Sequence, residues 1–152
     1  MEHGRWIVVG TDFSDGAQCA LAQAIRLAGR AAARVALVHA YEDQLEGLPS
    51  GQDRAPELRA QLDEAIALAG EKRDGASIEA FLRRGRPWEK LLNVAVEIGA
   101  ELIVVGATGQ RGAVGGAGSL LGSVAYRVVS CSTRSVLISR MPLDRGRPAA
   151  AE

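Results

Sequence analysis

The sequence predicts an α/β fold, an open five-stranded parallel sheet with helices on both faces. Three observations predict it. Short apolar, β-branched runs recur at residues 6–10, 35–41, 77–82, 102–105 and 135–140. Between them lie stretches with apolar residues at helical spacing. Strand and helix alternate throughout, and that order requires right-handed crossovers between parallel strands.

The first strand, 6–10, runs into Thr11-Asp12-Phe13-Ser14. Ser14 suits the N-cap of a helix over about 15–28, because its hydroxyl can accept from the first turn. Ala17, Leu21, Ala24, Ile25 and Ala28 form the buried stripe, and so many alanines let the helix lie close to the sheet. Asp12 has two readings, a turn-forming or capping residue and a ligand contact. Its place at the C-terminal end of a strand is where ligands meet open α/β sheets. The second strand, 35–41, contains His39, which reads as a packed residue because no nucleophile or acid partner accompanies it.

A polar loop at 42–54 precedes a helix that Pro56 opens and that runs to about Lys72, with Leu58, Leu62, Ile66 and Ala69 on one face. The third strand, 77–82, is followed by Arg83, Arg84 and Arg86, a basic cluster that reads either as solvated charge or as a phosphate contact. Pro87 fits the first position of the next helix, over 87–98, because the N–H it lacks has no partner there anyway. Gly99 ends that helix. Residues 1–141 read as one domain, and 142–152, rich in Pro, Arg and Ala, as a disordered tail.

The fourth strand leads into glycines at 106, 109, 112, 115, 116, 118 and 122. Such density does not belong inside a helix or strand, where glycine gives up backbone entropy and packs nothing. Leu121, Val124, Ala125 and Val128 then recur at helical spacing. The order is strand, glycine loop, helix. Without Cβ atoms the backbone can approach an anion closely, and the following helix adds unpaired N–H groups and its positive dipole end. A phosphate is the natural guest; a plain flexible linker is the other reading. If the sheet is doubly wound, strands one and four are neighbours at the crevice, which brings Asp12 beside Gly106.

Bulk properties exclude several classes. With 152 residues, 47% apolar and 24% charged, the chain is long enough for a core of its own. Formal net charge is zero, but residues 42–79 hold ten acids against four bases, and residues 80–152 ten bases against five acids. Segregated charge of zero sum favours self-association over nucleic acid. Two distant cysteines and no ligand cluster argue against zinc. No apolar run approaches membrane length and the start has no leader pattern, so the expected compartment is the cytoplasm.

These residues resemble the universal stress protein family over about 5–140. Ile-Val-Val-Gly-Thr-Asp-Phe-Ser at 7–14 resembles the family's first strand and its aspartate, and Val-His-Ala at 38–40 the end of its second strand. Gly106, Gly109 and Gly122-Ser123 resemble the nucleotide signature of ATP-binding members: Gly, two residues, Gly, nine residues, Gly-Ser. The resemblance implies a Rossmann-like sheet in the order 3-2-1-4-5 and a homodimer paired through the strand at 135–140. It implies ATP or AMP in the crevice, with Mg or Mn beside the phosphates. Asp12 would hold the ribose, the Ala40 backbone would read adenine, and Gly106 would border the ribose. Gly109, Gly122, Ser123 and the Val124 amide would hold phosphates, and Gly10 and Thr11 would line the same crevice. Two departures stand out. Twelve residues rather than nine separate Gly109 from Gly122, and Ser-Thr-Arg-Ser stands at 132–135 where many relatives carry a turn with proline and cysteine.

Three functions compete on this reading: a nucleotide-binding regulator of stress responses, a slow ATPase or nucleotidyl transferase, and a dimeric interaction module with an empty crevice. The enzyme lacks parts, since there is no Gly-Lys-Ser/Thr phosphate loop and no evident general base.

Overall fold

The computed structural model describes residues 4–42, 53–70, 76–109 and 121–141. Five strands and four helices alternate: β1 (Trp6–Gly10), α1 (Asp15–Ala31), β2 (Arg34–Tyr41), α2 (Ala55–Gly70), β3 (Ile78–Arg84), α3 (Pro87–Glu97), β4 (Leu102–Gly106), α4 (Ser123–Cys131) and β5 (Ser135–Ser139). All four strand pairings are parallel, and the order is β3-β2-β1-β4-β5.

Side chains alternate across each strand, and here both faces are buried. Ile7, Val9, Val35, Leu37 and Val104 meet α1 and α2 residues such as Leu21, Ile25 and Leu62. Val8, Ala36, Val38, Ile103 and Val105 meet Leu91, Val94, Ala125 and Val128 of α3 and α4. Double burial explains why β1, β2 and β4 read as unbroken apolar runs. The alanine stripe Ala17, Ala20, Ala24 and Ala28 of α1 is buried against the sheet.

Several boundaries differ from the sequence reading. Helix α1 continues three residues past Ala28, until Ala32 turns left-handed at φ 52° and its N–H closes on the Ala28 carbonyl. Helix α3 stops at Glu97, with Ile98 as its C-cap. Strand β3 runs to Arg84, so Arg83 and Arg84 lie within it rather than after it. Arg83 lies over Phe81 and 3.5 Å from Glu97, and Arg84 lies over Tyr41. Leu121 precedes α4 but packs against the same core as Ala125 and Val128. The end of the second helix at Lys72, most of the 42–54 loop, Gly112 to Gly118 of the glycine stretch and the 142–152 tail lie outside the described residues.

The central packing has a direct test. Leu37 is fully buried at the middle of the sheet, whereas Leu68 of α2 is 68% exposed. Leu37→Ala is expected to lower unfolding free energy by about 2–5 kcal/mol in urea titration. Leu68→Ala is expected to change it by less than about 0.5 kcal/mol.

Candidate functional site

Strands β1 and β4 pair from Ile7↔Leu102 to Val9↔Val104 and then part. The Thr11 N–H turns to the Val38 carbonyl at 2.9 Å, and the Ala107 N–H turns to the Ser139 carbonyl at 2.9 Å. Each strand end thus bonds to its outer neighbour, and a crevice opens between them at the carboxyl edge of the sheet. This is the switch point of a doubly wound sheet, since α1 and α2 cover one face and α3 and α4 the other.

A cavity of about 550 Å³ fills that crevice. All nine residues singled out in the sequence border it: Gly10, Thr11, Asp12, Ala40, Gly106, Gly109, Gly122, Ser123 and Val124. The glycines hold the walls close. A Cβ on Gly10 would stand 2.9 Å from Leu91 Cδ2, and one on Gly106 would stand 3.3 Å from the backbone of Gly16 in α1. A Cβ on Gly109 would collide with the Asp12 carboxylate, so Asp12 reaches across the crevice to the β4 side.

Asp12 fulfils its turn reading and faces the cavity as well. Its Oδ1 accepts from the Ser14 N–H at 3.0 Å and from the Ser14 hydroxyl. Ser14 in turn accepts from the Ala17 N–H at 3.2 Å, the expected cap of α1. Phe13, between them, sits at φ 65°, a costly conformation for a bulky residue. Two contacts hold it there: its N–H donates to Thr11 Oγ1, and its ring lies 4.5 Å from the His39 ring. His39 Nδ1 pairs with the Thr11 carbonyl at 2.8 Å. Since a carbonyl only accepts, Nδ1 carries the proton. His39 is thus packed and satisfied, as its sequence context implied, while it also borders the cavity.

Helix α4 starts at the cavity with Gly122 as N-cap and no side-chain cap. Its first helical bond runs from Tyr126 N–H to the Gly122 carbonyl, so the N–H groups of Ser123, Val124 and Ala125 have no intrahelical acceptor. All three residues border the cavity. The Gly122 N–H is committed to the Ala107 carbonyl at 2.7 Å, so Gly122 can serve a phosphate by close approach and not by donating.

Sequence reasoning missed part of the wall. Trp88, Leu91, Thr108 and Arg127 border the cavity, as do Glu42 and Arg86. Of Arg83, Arg84 and Arg86, only Arg86 borders the cavity. A usable signal existed: the β3–α3 turn and the first turns of α4 come out at the same sheet edge as Asp12 in any doubly wound fold. Among the described residues no group of three His, Cys, Asp or Glu side chains could hold a metal ion. No described helix is long and apolar enough to cross a membrane.

The fold and the crevice define a doubly wound α/β protein with a ligand-sized cavity at its switch point. Comparison with known proteins makes the class specific. The universal stress protein family model matches residues 5–140, and the chain belongs to that family. A universal stress protein of Thermus aquaticus is 39% identical over 146 residues, spanning 90% of this chain and 98% of the relative. Among solved structures, a universal stress protein in complex with cAMP is 34% identical, with a TM-score of 0.70 over 90% of this chain and 97% of that one. A universal stress protein of Archaeoglobus fulgidus in complex with dAMP is 25% identical, with a TM-score of 0.68 over 91% and 99% of the two chains.

The site carries a pH signature. Burial holds the His39 imidazole below its ordinary pKa near 6.5, against the opposing pull of the Thr11 bond and of Asp12. The unfolded chain therefore binds the extra proton first as pH falls. Stability is expected to drop from about pH 6.5 downward and to level off below the lower folded pKa. Urea midpoints at about pH 7.5 and about pH 5.5 check this, and His39→Gln should remove this component of the difference.

Proposed function

We propose that the chain is an adenine-nucleotide-binding regulator of stress responses, with ATP or AMP in the crevice between β1 and β4. The observation that carries the reading is the start of α4: three N–H groups without intrahelical acceptors, no side-chain cap, and a cavity of nucleotide size in front of them. Relatives holding cAMP and dAMP support the choice of adenine.

On this reading Asp12 accepts from ribose hydroxyls and Gly106 borders the sugar. The Ala40 backbone meets the adenine edge, and Gly10 and Thr11 floor the crevice. Ser123 and Val124 donate to phosphate oxygens, while Gly109 and Gly122 let the phosphates come close. An accompanying Mg or Mn ion would rest chiefly on phosphate oxygens and water.

The assembly reading is a homodimer through β5. Among the described residues that strand ends the sheet, and an uncovered edge invites pairing. Tyr126 and Val129 of the neighbouring α4 are 62% and 49% exposed, which adds apolar area beside that edge. Light scattering at high micromolar concentration is expected to give twice the chain mass; a monomer overturns the dimer.

Asp12→Ala is expected to weaken ATP and AMP binding at least about tenfold by calorimetry, the size of one lost charge-assisted hydrogen bond. Asp12 also supports the turn before α1, so the melting temperature is recorded alongside. Unchanged affinity with a lowered melting temperature would assign Asp12 to the turn alone. Mass spectrometry of small molecules released on denaturing fresh protein is expected to show an adenine nucleotide.

A further inference from the structure

Arg127 and Trp88 form a part of the cavity wall that the roles above leave unused. Arg127 lies four residues beyond Ser123 in α4, so both stand on one face of the helix. Helical side chains lean toward the N-terminus, so Arg127 leans toward the turn that begins with Ser123. Its guanidinium lies 5.7 Å from the centre of the Trp88 ring, in the first turn of α3. Both residues border the cavity.

The charges around it are unevenly committed. Arg86, on the same side, is paired with Glu89 at 3.7 Å. Among the described residues Arg127 has no carboxylate partner. The acids of the cavity wall, Asp12 and Glu42, follow β1 and β2, on the strand side. Trp88 gives this cation a platform. A free arginine loses much rotamer entropy when a ligand immobilises it, and an aromatic face that already holds the guanidinium reduces that cost.

A phosphate seated on the first turn of α4 uses the N–H groups there. A second phosphate needs donors of its own, and the forked N–H groups of a guanidinium match phosphate oxygens. We infer that Arg127, held on Trp88, is a specificity-determining residue that makes this cavity prefer nucleoside di- and triphosphates to monophosphates. The inference rests on the nucleotide reading above, and it assigns this chain a preference for ligands more highly charged than the cAMP and dAMP of the two related structures.

The test is calorimetric titration of AMP, ADP and ATP at one fixed salt concentration. The unaltered chain is expected to bind ATP at least about fivefold tighter than AMP, the size of a partly solvated charge pair. Arg127→Gln is expected to weaken ATP and ADP about fivefold and to leave AMP within about twofold. Arg127→Lys keeps the charge without the fork and is expected to fall between them. Arg127 is exposed and both replacements are good helix formers, so the urea midpoint should hold for each. Equal losses for AMP and ATP would make Arg127 a general support of the site and overturn the inference. A preference for ATP that survives Arg127→Gln would overturn it too, while leaving the nucleotide reading intact. If no adenine nucleotide binds, the nucleotide reading falls and this inference falls with it.

Discussion

The parting of β1 from β4 is the constraint on which the rest of the site depends. Their ladder ends at Val9 and Val104, although both strands continue. Each then gives its next amide to an outer neighbour, Thr11 to Val38 and Ala107 to Ser139. The gap between them is therefore lined by backbone whose hydrogen bonding is already shared outward. A buried strand end without such partners would be costly. The gap persists because the crossovers on its two sides lie on opposite faces, so no helix closes it.

The same topology brings the helix starts to one edge, and those of α1, α3 and α4 are capped differently. Ser14 caps α1 with its own hydroxyl. At α3, Pro87 removes one donor outright, and no side chain caps the helix. At α4 the capping position is Gly122, which has no side chain to offer. The local positive potential of α4 is thus left open toward the cavity rather than neutralised by the chain itself.

Opposite α4, the turn after β1 is held by short polar links. Asp12, Ser14 and Ala17 form a relay of hydrogen bonds, while His39 fastens Thr11 and packs on Phe13. This holds a bulky residue at positive φ, and the strain is borne where the carboxylate must be aimed. Asp12 thereby fulfils the turn reading of its sequence context with one oxygen, and its carboxylate stands at the cavity beside Gly109.

Much of this was legible in the linear chain. Periodicity, with a few caps and breakers, placed the elements, because strands buried on both faces and helices with one apolar stripe have different patterns. The cap at Ser14, the proline start of α3 and the glycines that border the crevice are local chemistry, readable from a few adjacent residues. What depended on distant packing was not legible. Ala32 ends α1 in a conformation that favours glycine, so no residue type announced it. Arg83 and Arg84 read as a free cluster because pairing with β2 extends β3 through them, and only the register shows that. Trp88 and Arg127 are separated by a strand, and nothing local marks either one. Only the crossover to the second face sets α3 against α4 and makes a cation on one helix and an indole on the other into a single wall of the cavity. The sequence by itself determined the elements and the residues at the strand ends. Tertiary structure decided which side chains meet across the crevice, because that depends on how two helices pack and not on any spacing along the chain.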